Sequence, residues 1–181
     1  MGCNGGCAAD DLVMPPGLER WHGSIAVVTG AGSGVGWVAC EALVAAGVRV
    51  VAAARSKERL QALQARVLAS GAGGRMFLPV MCDITREDEV QTLMSIAVKT
   101  FDGRPVSLLI NAACAQSPEA NIIDGASRAW VEMLSNNVLA VALCCREACT
   151  SMRRAATWGH VVNICPLSGA LPLMTCFSAI P

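Results

Sequence analysis

The chain of 181 residues contains no tyrosine, only two histidines and few charged side chains. Basic and acidic residues number 14 each, so the formal net charge is zero and no basic excess exists to neutralise a nucleic-acid backbone. None of the ten cysteines has Cys-x-x-Cys spacing, and two histidines are too few to complete a metal site around them. The absence of tyrosine also excludes a phenol as proton donor anywhere in this chain. Binding of nucleic acid and binding of metal are therefore not expected.

The cysteines are scattered over positions 3, 7, 40, 82, 114, 144, 145, 149, 165 and 176. Cysteines at apolar positions act as small buried hydrophobes in a reducing compartment, which predicts a cytoplasmic protein without disulfides. Residues 1–11 have neither the basic start nor the apolar core of a secretory signal. The apolar stretch over residues 24–54 is interrupted by Glu41, Arg49 and several glycines, so a membrane span is not expected.

The first residues allow two interpretations. Residues 1–22 are predicted to form a disordered leader that ends after Pro15-Pro16-Gly17. The alternative is a lipid anchor with acyl groups on Gly2 and Cys3. The leader is favoured because Gly6 replaces the usual Ser or Thr, and because Asp10 and Asp11 would be repelled by anionic lipid.

Short apolar runs alternate with helical patterns from residue 23 onward. Strands are predicted at Ile25–Thr29, Arg49–Ala53, Met76–Cys82, Val106–Ile110 and His160–Cys165, and helices at Val35–Ala46, Lys57–Ala69, Glu87–Phe101 and about Arg128–Ala155. Strands that alternate with helices form parallel sheets through right-handed crossovers. The fold class predicted for residues 23–181 is therefore α/β, a doubly wound parallel sheet of the Rossmann type.

A glycine-rich loop joins the first predicted strand to the first helix, with the sequence Thr29-Gly30-Ala31-Gly32-Ser33-Gly34-Val35-Gly36. Glycines permit a tight turn and bring a pyrophosphate close to the backbone, and the helix N-terminus offers free N–H groups to its phosphates. The alternative is a glycine turn without a ligand. The strand, loop and helix in this order favour a dinucleotide site.

The end of the second strand indicates which dinucleotide is preferred. An acid at this point bonds the ribose 2′-hydroxyl of NAD, but here the strand ends in Ala53-Ala54 and continues as Arg55-Ser56-Lys57. The guanidinium of Arg55 suits a 2′-phosphate, with Ser56 or Lys57 assisting, so NADP(H) is the predicted cofactor. The alternative is that Arg55 and Lys57 only solvate the start of a helix.

The pattern Thr-Gly-x-x-x-Gly-x-Gly resembles that of the short-chain dehydrogenase/reductase family, over about residues 18–179. Residues 18–21, 53–55, 82–83 and 137–140 resemble in particular the branch that includes dehydrogenase/reductase family member 11 and insect farnesol dehydrogenases. The resemblance implies a nicotinamide-dependent oxidoreductase. The cofactor-binding residues that it and the loop imply are Gly30, Ser33, Gly34, Val35, Gly36, Ala54, Arg55, Cys82, Asp83 and Asn111.

Two of these positions carry specific expectations. The resemblance implies that Asp83 bonds the adenine amine, and this role is slightly favoured over the alternative, in which Asp83 caps a helix that starts over Thr85–Asp88. Asn111 matches the first Asn of the family's Asn-Asn-Ala-Gly, which braces the sheet and approaches the adenosine. This chain reads Asn111-Ala112-Ala113-Cys114 instead, which puts the local turn in doubt.

The family's catalytic groups are mostly missing. The resemblance assigns Asn137 to the proton relay, the alternative being an exposed or self-capping helix residue. The positions of the family's Tyr, Lys and Ser hold Phe177, Pro181 and Pro166, and Ser168 is only a loose substitute for the Ser. One positioned acid contributes about 10²–10⁴ in rate, so a catalytically impaired NADP(H)-binding protein is predicted.

Full members of the family continue with a further helix and strands after the fifth strand. We therefore expect a sheet that is truncated there, with an open edge and exposed apolar surface. One alternative is a fragment of an active oxidoreductase. Another is a non-catalytic partner that pairs, as a homodimer or heterodimer, with a full-length relative.

Overall fold

The computed structural model describes residues 17–71, 74–120 and 123–165. Five strands form one parallel sheet: β1 (Ile25–Thr29), β2 (Arg49–Ala54), β3 (Phe77–Met81), β4 (Val106–Asn111) and β5 (His160–Asn163). The helices are α1 (Gly34–Ala45), α2 (Lys57–Ala69), α3 (Glu87–Thr100), α4 (Ser127–Leu134) and α5 (Ala140–Arg154), and a π-helical segment, Ser135–Leu139, joins the last two. Three-residue 3₁₀ turns lie at Glu19–Trp21, Gly74–Met76 and Pro118–Ala120.

The strand order is β3-β2-β1-β4-β5, so the chain winds outward from β1 in both directions. Every residue of β1 is buried, because helices cover both faces of the sheet. The cluster on one face joins β1 and β2 to α3 and α5, and the cluster on the other joins them to α1 and α2. The predicted doubly wound α/β fold is confirmed. Loops after β1 and β4 diverge at the carboxyl ends of their strands, where such sheets bind ligands.

Local sequence explains why the predicted boundaries of α1 and α2 agree with the structure. Helix α1 ends in a Schellman cap, with Gly47 at φ +74° and bonds from Gly47 N to Val44 O and from Val48 N to Leu43 O. Helix α2 begins at Lys57 because the Ser56 hydroxyl accepts the backbone N–H of Arg59 at 3.3 Å. Both signals are visible in the sequence.

Two predictions about the second half of the domain were wrong in detail. The helix predicted at about Arg128–Ala155 is interrupted by the π-helical segment, in which Ala140 N bonds to Ser135 O. Strand β5 ends at Asn163, earlier than the predicted Cys165, because pairing with β4 stops at Asn111 and Asn163. Among the described residues β5 pairs with β4 alone, and its Val161 and Val162 are half-buried.

The predicted disordered leader extends too far along the chain. Residues 17–22 are described and include the 3₁₀ turn Glu19–Trp21. Leu18 and Trp21 pack against the core cluster under α1 and α2, so this part of the segment is folded onto the domain. Residues 1–16, which include the acylation candidates Gly2 and Cys3, lie outside the described residues.

Candidate functional site

A cleft of about 740 Å³ lies at the carboxyl ends of the strands, between the loops that follow β1, β2, β3 and β4. Its walls include most of the residues predicted to bind a cofactor: Gly30, Ser33, Gly34, Val35, Ala54, Arg55, Cys82 and Asp83. Gly36 and Asn111 do not line it. The fold therefore brings together predicted residues from three separate loops, while the loop after β4 lines the cleft with residues that were not predicted.

The glycine loop forms one wall, and its glycines are required by close backbone contacts. Gly30 has φ +68°, and a Cβ at this position would lie 2.5 Å from the backbone N of Ala113. Gly36 lies beneath the loop, where a Cβ would overlap the carbonyl of Gly30. The loop is also fixed by a bond from Ala31 N to Ala53 O. These contacts fix the tight course of the loop along the cleft.

The first turn of α1 points into the cleft. Ser33 precedes the helix in extended conformation and makes no side-chain cap bond, and Trp37 N is bonded to Ser33 O. The N–H groups of Gly34, Val35 and Gly36 therefore precede the first intrahelical donor. With the positive end of the helix dipole, they form a site suited to an anion.

The adjoining wall carries two cations, and a Cβ at Gly32 of the glycine loop would lie 3.4 Å from Arg59 Cβ. Arg55 and Arg59 line the cleft, are exposed, and make no ion pair with any described residue. Lys57 is exposed but is not part of the wall. Ser56 is already engaged, since its hydroxyl donates to Glu58 at 2.9 Å in addition to capping α2. Hydrogen bonds from the backbone and from Ser56 hold the pKa of Glu58 below its usual value.

Arg59 was not among the residues predicted from the sequence. It lies four residues after Arg55, one turn into the helix that Ser56 caps. Helical spacing from Arg55 was a signal that could have identified it.

Asp83 stabilises the turn that precedes α3. One carboxylate oxygen accepts the backbone N–H of Thr85 at 3.0 Å and the Thr85 hydroxyl at 2.8 Å. This is a turn before the helix rather than a helix cap, because α3 begins only at Glu87. Burial alone would raise the pKa of Asp83, but the bonds from Thr85, together with Arg55 and Arg86, outweigh it and lower the pKa. The carboxylate therefore faces the cleft in its ionised form.

Cys82 forms the floor of the cleft beside Asp83. Its side chain is buried, and burial together with Glu89 and the neighbouring acids raises the pKa of its thiol to about 12. The thiol therefore contributes an uncharged contact surface.

Asn111 is the last residue of β4. Its side chain is only 2% exposed and lies inside the domain. The amide donates to Asn163 Oδ1 at 2.9 Å and to Cys145 Sγ at 3.5 Å, and its oxygen accepts the Thr29 hydroxyl at 3.4 Å. These bonds brace the sheet and occupy the side-chain amide, while the approach to the adenosine stays a prediction. Asn163 and Cys145 had no signal in the sequence.

Asn137 lies in the π-helical segment, where π-turns often mark functional positions. Its side-chain oxygen accepts Ala115 N at 2.8 Å, and its amide donates to Ala115 O at 2.9 Å. It therefore fastens the loop after β4 to the helix, which is neither the exposed nor the self-capping alternative. Asn137 also lines a smaller cavity of about 270 Å³ next to the cleft, together with Asn111 and Asn163.

The other catalytic positions, Pro166, Ser168, Phe177 and Pro181, lie outside the described residues. In residues 17–71, 74–120 and 123–165, no group of three or more His, Cys, Asp or Glu side chains is arranged to hold a metal ion. Within the same residues, no helix has the length and apolar character that crossing a bilayer requires.

Curated proteins and solved structures resemble the chain over most of its length. It is 36% identical to the human dehydrogenase/reductase SDR family member 11, over 87% of this chain and 60% of that protein. It is 35% identical to the farnesol dehydrogenase of Aedes aegypti, over 81% of this chain and 58% of that protein. The chain thus spans about three fifths of the length of these relatives.

Two solved structures share the fold at 27% identity. One is a metagenomic short-chain oxidoreductase in complex with NADP, with a TM-score of 0.75. The match covers 84% of this chain and 66% of the oxidoreductase. The other is a short-chain dehydrogenase/reductase from Burkholderia phymatum in complex with NAD, with a TM-score of 0.76. The match covers 84% of this chain and 52% of that protein. The family model described as short chain dehydrogenase matches residues 24–179. The chain belongs to the short-chain dehydrogenase family.

Proposed function

We propose that this chain binds NADP(H) in the cleft, with the phosphorylated dinucleotide preferred over NAD(H). The observation that carries the proposal is the pairing of two walls. The loop before α1 exposes backbone N–H groups, and the wall after β2 exposes Arg55 and Arg59 without an acid at the end of the strand. Neither wall alone indicates this ligand.

The donor set fits the chemistry of such a dinucleotide. Because Gly30 and Gly36 pack against backbone without a Cβ, the loop turns tightly beside the α1 N-terminus, where a pyrophosphate would accept hydrogen bonds. Arg55 and Arg59 would hold the 2′-phosphate, for which charge-assisted bonds are strongest. Asp83 Oδ2, which bonds no described residue, would accept the adenine amine. The proposed residues are therefore Gly30, Ser33, Gly34, Val35, Ala54, Arg55, Arg59, Cys82 and Asp83, with Gly36 shaping the loop.

The test is a titration of the purified chain with NADPH and NADH, followed by nucleotide fluorescence and by thermal unfolding. NADPH at 100 times its Kd should stabilise the protein by about 2.7 kcal/mol. Arg55→Glu should weaken NADPH about a hundredfold while NADH changes little. Lys57→Glu is the matched control, because it makes the same charge change two residues away but outside the wall.

Two results would count against the proposal. If neither nucleotide binds, the cleft is not a dinucleotide site. If Arg55→Glu and Lys57→Glu lower the affinity for NADPH equally, the preference for NADPH reflects the overall electrostatic potential of the protein and not a contact with Arg55.

We further propose that this chain by itself turns over carbonyl substrates very slowly. Bound NADPH would supply a hydride, and the resemblance implies a Tyr as the proton donor. The sequence contains no tyrosine. Both the oxygen and the NH2 group of the Asn137 side chain are already hydrogen-bonded to the backbone of Ala115. Stopped-flow oxidation of NADPH with a panel of ketones should therefore show binding without turnover. Turnover comparable to that of an active relative would disprove impairment.

A second candidate is an oxidoreductase activity carried by a longer product of the same coding region. The observation that favours it is that the chain spans only 58–60% of the curated relatives it matches. Sequencing of transcripts beyond the codon for Pro181 tests it. A downstream Tyr-x-x-x-Lys motif would support an active enzyme, and its absence from every transcript would exclude one.

A further inference from the structure

The basic side chains of this neutral chain are distributed unevenly. All fourteen lie in the described residues, and five of them form ion pairs: Arg49, Arg66, Arg86, Arg128 and Arg146. Three without ion pairs lie at or beside the cleft, namely Arg55, Lys57 and Arg59. The six others are Arg20, Arg75, Lys99, Arg104, Arg153 and Arg154, and all are exposed. These six share one location.

That location is the edge of the sheet at which the strands begin, opposite the cleft. The six residues lie in the last turn of a helix or in the connection that leads into β1, β3, β4 or β5. Because the strands are parallel, all these connections meet at one edge. Two contacts join the connections before β1, β4 and β5: the Trp21 and His160 rings lie 6.4 Å apart, and Arg104 Nη1 donates to Gly23 O at 3.5 Å. We call the six residues with Trp158 the basic edge.

Few acids counter this charge. The connections into the strands contain only Glu19 and Asp102 among the described residues. Asp102 pairs with Arg49, and Glu19 accepts the backbone N–H of Gly17. The basic edge is therefore strongly positive, although the chain as a whole carries no net charge.

Trp158 projects from the basic edge and is 95% exposed. Its loop is well defined, since Ala156 N bonds to Arg153 O and Thr157 N to Met152 O in a Schellman cap. Ala156 adopts φ +48°, which costs an alanine about 1–2 kcal/mol. The loop also packs closely at Gly159, where a Cβ would lie 2.5 Å from Met152 Cε. A strained and fixed loop thus holds a large apolar ring in solvent.

We propose that the basic edge docks on an anionic lipid surface, with Trp158 entering the headgroup region. Tryptophan favours the interface between water and lipid, and surface cations are attracted to anionic headgroups. A single-stranded nucleic acid would need several exposed rings on which to stack. Among the described residues of this edge Trp158 is the only exposed tryptophan, since Trp21 is half-buried beneath Arg20. Lipid is the partner that this combination fits, and the inference does not depend on the proposed cofactor.

The test is flotation of the full chain with vesicles of phosphatidylcholine alone and of phosphatidylcholine mixed with phosphatidylserine. Binding is expected only to the anionic vesicles, with a steep loss as salt is added. Arg153→Glu should weaken binding about 25-fold, since each unit of charge near the surface contributes about fivefold. Trp158→Ala should weaken it about tenfold and abolish the blue shift of tryptophan emission.

Arg128→Glu is the control, because it makes the same charge change on an exposed residue of α4, away from the basic edge. It should bind like the parent. Trp158→Phe should retain most of the binding and excludes misfolding as the cause of a loss. Equal binding to neutral vesicles, an equal loss in Arg128→Glu, or binding to single-stranded RNA without binding to vesicles would each overturn the proposal.

Discussion

The two halves of the sheet use their polar side chains in opposite ways. In the half built from β1, α1, β2, α2 and β3, Arg55 and Arg59 face the cleft without an ion pair among the described residues. In the half built from β4, α4, α5 and β5, Asn111 and Asn137 are bonded to the protein itself. The first half therefore presents uncommitted charged groups to the cleft, whereas these amides of the second half hold its own loops in place. Substitutions in the two halves should have different consequences.

The largest effect is expected where the two halves touch, at Gly30. Gly30→Ala should lower the free energy of unfolding by about 3 kcal/mol, from left-handed strain and from overlap with Ala113 N. Gly34→Ala is the control, because Gly34 has a similar φ of +55° but open space around it. It should cost about 1 kcal/mol. Urea denaturation measures both, and equal losses would show that the contact between the halves contributes nothing.

A smaller effect is expected to separate residues that stabilise the fold from residues that bind the nucleotide. Asn111→Leu leaves the buried Thr29 hydroxyl without its partner and should cost about 2 kcal/mol of stability. The NADPH affinity of the folded variant should not change. Arg55→Ala should show the reverse, with unchanged stability and an affinity for NADPH about tenfold lower. The comparison fails if both variants lower both quantities.

Much of the first half could be predicted from the sequence, because its strands and helices are bounded by residues close to them in the chain. Strand β1 was predicted with its observed limits because an apolar run ends at a glycine, and α2 because Ser56 caps it. Arg55 was found because it follows the second strand directly. The hydrogen-bond partners of Asn111 could not be predicted from the sequence, because Asn163 and Cys145 lie 52 and 34 residues away along the chain. The π-helical segment has no compositional signature either.

Asn137→Ala tests the second half more gently. It removes two hydrogen bonds to Ala115 from a half-buried position and should lower stability by about 1 kcal/mol. Asn136→Ala is the matched control, since within the described part of the chain the Asn136 amide bonds only the carbonyl of Glu132 in its own helix. Its effect should be within about 0.5 kcal/mol. Proteolysis of the loop over residues 112–117 should become faster in Asn137→Ala alone.

The smallest effect concerns acid stability at the cleft. The pKa of Asp83 is lowered in the folded protein, so its contribution is present above about pH 4 and is lost as the pH falls through the folded value. Asp83→Asn should therefore be less stable than the parent at pH 6, with the difference shrinking toward pH 3. The effect is small because solvent screens the partly exposed carboxylate. A difference that grows in acid would contradict the assignment.

The π-helical segment also restricts how the length of this chain can change. One residue corresponds to about 100° of rotation about a helix axis. Deleting or inserting a residue between Asn137 and Ala140 would rotate one side of the segment relative to the other. Either Asn137 would lose its hydrogen bonds to Ala115, or the buried residues of α5, which include Cys144 and Ala148, would turn away from the core. This stretch therefore accepts substitutions more readily than a change of even one residue in its length.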